Sequence, residues 1–139
     1  MKYIRAVITT TLSIFAVCIT NSTYAKSKEE VKCPSLDKIH QAASFIKRPG
    51  EMFNKPGYYA GTVDKVIHDG NTYWAIWVFD ITASSLAEAV IKGQKFASEV
   101  SVMKSERPVY KGWFYACDYY IPSANTYLET WGDGLSSNA

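Results

Sequence analysis

Residues 72–81 read Thr-Tyr-Trp-Ala-Ile-Trp-Val-Phe-Asp-Ile, and Asp69-Gly70-Asn71 stands just before them. At a period of two, Trp74, Ile76 and Val78 fall on one face and Tyr73, Trp77 and Phe79 on the other. Both sets are β-branched or aromatic, so the segment reads as a central strand covered on both sides. Tyr58 to His68 reads as the partner arm of a hairpin, because Asp-Gly and Gly-Asn accept the positive φ of a tight turn. A two-residue turn at Asp69-Gly70 sets Val63 and Ile67 beside Trp74, Ile76 and Val78. It sets Tyr58, Thr62, Asp64 and Val66 on the other face.

Working outward, Ser85-Leu86-Ala87-Glu88 is a capping box that opens a helix. Leu86, Ala89, Val90, Phe96, Ala97, Val100 and Met103 make its apolar stripe, while Lys92, Lys95, Glu99 and Lys104 lie mostly off it. Gly93 falls inside the stripe, which predicts a close approach to the sheet. Pro108 ends any continuation. Val109 to Ile121 reads as a third strand with a bulge at Gly112, and Thr126 to Trp131 as a fourth. Upstream, Pro34-Ser35 leads a short helix over Leu36 to Ile46. Pro49-Gly50 and Pro56-Gly57 bracket a loop, and Gly132 to Ala139 reads as a tail. The expected order is α-β-β-α-β-β, an α+β fold with a mainly antiparallel sheet and helices packed on one face.

The N-terminus carries a different message. Lys2 and Arg5 precede an uncharged run from Ala6 to Thr20, which falls short of the ~20 residues a membrane-spanning helix needs. Asn21-Ser22-Thr23-Tyr24-Ala25 follows, with Thr23 and Ala25 as the small residues of a cleavage site. Residues 1–25 are thus read as a secretory signal peptide cleaved after Ala25, and 26–139 as a single domain, secreted or periplasmic, with no membrane span. Cleavage removes Lys2 and Arg5 but no acid, which cancels the formal charge of +2. A neutral domain has no electrostatic footprint for nucleic acid.

Of the 3 cysteines, Cys18 lies in the signal and Cys33 and Cys117 remain. An even count in an exported chain reads as one disulfide, closing a loop of about 84 residues. The competing reading, a Cys33-Pro34 thiolate on haem iron, needs a reduced cysteine that an oxidising compartment disfavours.

Enzymatic motifs are missing: there is no Gly-x-Ser-x-Gly elbow, no phosphate-binding Gly-rich loop and no His-Glu-x-x-His pair. The 2 histidines, His40 and His68, have no spacing that closes a zinc site. The chain is therefore read as a binding protein, not an enzyme. Its most unusual property is its content of 10 Tyr, 6 Phe and 4 Trp. Non-covalent haem capture uses an apolar slot, an axial His, Tyr or Met, and a cation for the propionates. Tyr58-Tyr59, Tyr119-Tyr120, His68, Met52, Lys65, Arg107 and Lys111 supply those chemistries.

Cys33-Pro34-Ser35-Leu36 just after the signal, the Trp74-to-Ile81 strand, Leu86-Ala87-Glu88-Ala89, and Tyr115-Ala116-Cys117-Asp118-Tyr119 occur in that order. This layout resembles the small secreted hemin-binding proteins (Hbp type) of Legionella and related intracellular bacteria. The resemblance implies an exported protein that promotes non-covalent hemin binding in haem or iron acquisition, with a Cys33–Cys117 bridge. It supplies no ligand motif. The candidate hemin contacts are chosen on chemistry: Tyr59, Tyr119 and Tyr120 as ferric ligands, His68 as a second ligand or as a hydrogen-bond partner of a ligating tyrosine, and Lys65 for a propionate. The alternative is a secreted interaction module, an effector or inhibitor that acts on an envelope or host protein and needs no small molecule.

Overall fold

Strand β4 (Thr72–Ile81) is central, as its two apolar faces predict. It pairs with β2 (Tyr58–Thr62) and β3 (Ile67–Asp69) on one side and with β8 (Tyr127–Asp133) on the other. The sheet runs outward from β2 to β1 (Ile46–Glu51), and from β8 to β7 (Phe114–Tyr120), β5 (Val102–Met103) and β6 (Val109–Tyr110). All pairings are antiparallel. The helices are α1 (Leu36–Ala42), which passes into a 3-10 turn at Ala43–Phe45, and α2 (Leu86–Glu99). This computed structural model describes residues 30–69 and 71–133. The expected signal peptide and its cleavage site, Gly70 of the hairpin turn, and the end of the expected tail lie outside the described residues. The chain divides into two units, Met1–Glu30 and Val31–Ala139, and the fold described is that of the second.

The class is the expected one: an α+β fold with an eight-stranded antiparallel sheet and helices packed against it. The order differs. It runs α-β-β-β-β-α-β-β-β-β, because two expected strands are broken and two further strands arise. One is β5: α2 ends at Glu99 and Val100 turns extended, so Met103, expected on the helix stripe, pairs with Tyr119 of β7 instead. The other, where a loop is expected, is β1, which contains Pro49-Gly50. Proline is tolerated there because β1 is an edge strand paired only with β2. The Val109-to-Ile121 segment divides into β6 and β7 around Gly112, whose φ of +98° is open to glycine at no steric cost.

The first hairpin arm also divides. Asp69 pairs with Thr72 and Ile67 with Trp74, but residues 63–66 leave the ladder before β2 resumes. The extra residues reverse the parity of β2. Thr62 is consequently buried on the core side, where its Oγ1 accepts from Ile76 N at 3.1 Å, and Val63 is exposed. A second irregularity sits at Asp80, a non-glycine residue with φ of 57°. Between Val78 and Ile81 it inserts one residue against β2, which returns the odd-numbered Ile81 to the core.

Helix α2 supplies most of the cover on one side of the sheet. Ser85 Oγ accepts from Glu88 N at 3.1 Å, as a capping box requires. The Glu88 carboxylate reaches back one residue further than expected and accepts from Ser84 N at 2.7 Å. Ala89, Gly93, Phe96 and Ala97 face inward. A Cβ on Gly93 would stand 3.0 Å from the Ala60 Cβ of β2, the close approach predicted from sequence. Ile39, Ile46, Trp74, Ile76, Val78, Val100 and Leu128 are fully buried between helices and sheet. Cys33 and Cys117 are joined by a disulfide with Cα atoms 5.8 Å apart, tying the segment before α1 to β7.

Candidate functional site

Among the described residues no helix covers the other side of the sheet, and the strand registers decide what it presents. Gly61, Trp77, Glu129 and Asp118 form one cross-strand row over β2, β4, β8 and β7. On one side of it lies the row Phe79, Tyr127 and Tyr120, with Tyr59 against Phe79 at a ring distance of 6.5 Å. On the other lies Trp131, between Ala75 and Ala116. The rings close the gaps between rows. Trp77 and Trp131 stand 5.4 Å apart, Phe79 and Tyr127 5.2 Å, and Phe114 and Trp131 5.0 Å. Trp113 packs edge-on against Phe114 at 4.6 Å and is itself 76% exposed. A continuous aromatic surface therefore spans four strands.

Glycines under these rings let them lie against the backbone. A Cβ on Gly61 would stand 2.3 Å from the Trp77 indole, and one on Gly50 would stand 2.1 Å from the Tyr59 ring. Both side chains are half-buried as a result. Where the rings meet the end of the sheet, Trp77, Trp113, Phe114 and Trp131 line a groove of about 220 Å³, with Asp64, Lys65 and Asp133 at its polar end.

Two carboxylates sit directly opposite each other within the aromatic rows, Glu129 on β8 and Asp118 on β7. Asp118 Oδ2 lies 3.4 Å from Lys104 Nζ. Glu129 accepts from the Trp131 indole N–H and has no ion pair among the described residues. Burial raises the Glu129 carboxyl above its ordinary value; the indole N–H and Lys111 oppose the rise, and the charge of Asp118 adds to it. Tyr127, beside it, is raised chiefly by burial and then by Asp80 and Glu129.

The residues selected from sequence are dispersed over this architecture. Tyr59 stands in the aromatic rows. Lys65 lines the groove, paired with Asp133. Tyr120 is partly exposed at the far end of β7. His68 stacks on Tyr73 at 4.3 Å, six residues along β4 from Phe79, or roughly 20 Å of strand. Tyr119 points to the opposite side: it is fully buried under the helices and donates to Pro34 O at 2.6 Å. The alternation of β7 puts Tyr119 and Tyr120 on different faces, so one of the two is always in the core. The five residues do not converge on one iron position. Met52 lies in the β1–β2 connection, and Lys111 in the β6–β7 connection.

Sequence reading passed over Trp113, Phe114, Tyr127, Glu129, Trp131 and Asp118 as site residues. Period-two alternation in residues 127–131 already puts Tyr127, Glu129 and Trp131 on one face. What it lacks is the register that sets this face beside Trp77. Among the described residues no group of three or more His, Cys, Asp or Glu is placed to hold a metal, and no helix is long and apolar enough to cross a membrane. Comparison with protein-family models, with curated proteins and with solved structures finds no match.

Proposed function

We propose that this is an exported binding module that docks a protein partner on the aromatic face of its sheet, opposite helix α2. The observation that carries this reading is the surface of Tyr59, Trp77, Phe79, Tyr127, Trp131, Phe114 and Trp113, drawn from four strands and the loop before β7. Aromatic side chains dominate the energetics of protein interfaces, and exposed apolar patches with polar margins mark interaction surfaces. The groove of about 220 Å³ is smaller than the ~300–1,000 Å³ of small-molecule sites. A shallow, broad surface suits a macromolecule better than an enclosed ligand. The N-terminal signal peptide read from sequence supports an extracytoplasmic setting, in the periplasm or outside the cell.

The test is position-specific photo-crosslinking in the exporting cell. A photoreactive phenylalanine at Trp113 or Tyr120, on the aromatic face, should give a discrete adduct that purified parent protein competes away. The same residue at Ile91, which is 66% exposed on α2, should give none. Equal labelling from both faces, or none from Trp113 and Tyr120, refutes the reading.

A second reading, hemin capture, is favoured by one observation: Tyr59 presents a phenol beside the rings of Trp77 and Phe79, with Lys65 bordering the same face. A phenolate is a known type of ferric haem ligand. Under this reading, ferric hemin titrated into the exported protein gives a saturable Soret change that Tyr59→Phe weakens and shifts, Tyr120→Phe weakens less, and His68→Ala changes least. Weak, unsaturable binding by the parent protein ends it.

A further inference from the structure

We infer that the aromatic face is built to receive an arginine-bearing segment of its protein partner, with the guanidinium seated against Glu129 and Asp118 between aromatic rows. The inference rests on the docking reading above and names the chemistry of the partner.

Three features converge on it. First, Glu129 and Asp118 are direct cross-strand neighbours, an arrangement in which like charges repel and destabilise the sheet. The pair has one cation within ion-pair distance among the described residues, Lys104, at 3.4 Å from Asp118 and on an exposed side chain. Such surface contacts contribute little and exchange readily. Second, Trp77 lies across from Glu129 in register, Tyr127 and Trp131 flank it two residues along β8, and Trp131 turns its indole N–H edge toward it. A cation held at the carboxylates therefore lies among aromatic rings, whose faces attract organic cations. Third, Glu129 is half-buried, and its one hydrogen bond among the described residues comes from the Trp131 indole. It keeps acceptor capacity for a further donor, since a carboxylate has about four lone-pair sites.

Arginine fits these three better than lysine. Its planar guanidinium stacks on an indole while its edge donates to a carboxylate, and it is more weakly hydrated than an ammonium. An anionic partner is disfavoured because Glu129 has no ion pair among the described residues, Lys111 acting on it only from beyond ion-pair distance.

The test uses the exported protein and the blocked peptides tetra-arginine, tetra-lysine and tetra-glutamate, followed by tryptophan fluorescence at low salt. Tetra-arginine should bind saturably, and tetra-lysine about tenfold more weakly. The double variant E129Q/D118N should lose at least about tenfold in tetra-arginine affinity while its thermal midpoint holds or rises, because repulsion is relieved. E129Q alone, which leaves the Lys104–Asp118 contact in place, should show an intermediate loss. Unchanged tetra-arginine affinity in the double variant, or equal binding of tetra-glutamate, overturns the inference. If tetra-arginine does not bind while the crosslinks from Trp113 persist, the inference fails and the docking reading stands. If both are absent, both fail.

Discussion

The Tyr119 hydroxyl donates to the carbonyl oxygen of Pro34 at 2.6 Å, across 85 residues of chain. Two residues earlier on the same side of β7, Cys117 holds Cys33. Cys33 N also donates to Glu106 O at 2.9 Å. The segment before α1 is thus fastened to β7 by a covalent bond and a buried side-chain hydrogen bond, and to the β5–β6 loop by a backbone hydrogen bond. It closes one end of the core and leaves the aromatic face untouched.

Tyr119→Phe should cost about 1–3 kcal/mol, because it leaves the buried Pro34 carbonyl without its donor. Replacing Cys33 and Cys117 together by Ala should cost about 2–5 kcal/mol. Both changes release the same segment, so the triple variant should lose less than the sum. Urea denaturation of the four proteins checks this. Because Tyr119 faces the core, Tyr119→Phe should leave any hemin spectrum unchanged, and a Soret shift in that variant would place the hydroxyl at a ligand after all.

Helix α2 makes a sharper contrast. Phe96 is 9% exposed against the sheet, so Phe96→Ala should cost about 3–5 kcal/mol. Ser85→Ala removes the acceptor for Glu88 N and should cost about 1 kcal/mol. Leu86 belongs to the expected apolar stripe but is 47% exposed at the start of the helix. Leu86→Ala should fall within about 0.5 kcal/mol of the parent, as ordinary surface changes do. A denaturation midpoint for Phe96→Ala near that of Leu86→Ala would mean that the helix packs by another face.

What sequence reading captured here is local. Alternation in residues 72–81 marked the central strand, the spacing of Ala89, Phe96 and Ala97 marked the buried helix face, and Gly93 marked the close approach. What it missed depends on pairing partners far away in the chain. Pro49-Gly50 reads as a loop in isolation and becomes an edge strand only because β2 is available to pair with it. The parity of Thr62 turns on residues 63–66 leaving the ladder, and no local propensity reports that. The aromatic face is the extreme case. Trp77 and Trp131 are 5.4 Å apart in space, but only the β4–β8 register brings them together. Tyr119 and Tyr120 look equivalent as a pair in sequence. The disulfide at Cys117 settles which is buried, because Cys117 and Tyr119 share the core side of β7.

The seat of Trp77 on β2 gives a third prediction. Gly61→Ala places a Cβ about 2.3 Å from the indole, too close for the ring to stay where it is. The expected cost is about 1–3 kcal/mol, the usual size of overpacking. The displaced indole should also change the near-ultraviolet circular dichroism and weaken the crosslink from Trp113. Near-parental stability with an unchanged aromatic spectrum would show that Trp77 does not lie on Gly61.

Two glutamates should give the stability opposite dependences on pH. Ser84, first, and Lys92 hold Glu88 down from an ordinary 4.5 to about 2. The native state therefore keeps this carboxylate charged where the unfolded chain has taken up a proton. Its contribution is present above about 4.5 and is lost as the pH falls toward 2. Glu129 runs the other way, because burial among the rings raises it. The native state holds that proton to higher pH than the unfolded chain does, so stability is greatest below the unfolded value and declines as pH rises through the folded one. E88Q should accordingly be less stable than the parent near neutrality, with the deficit closing in acid. E129Q should be more stable than the parent near neutrality, with the advantage closing in acid. Thermal or urea midpoints measured from strongly acidic to neutral pH distinguish the two slopes. An E129Q protein that is destabilised near neutrality would show that the carboxylate contributes more through the Trp131 indole than it loses to burial and to Asp118.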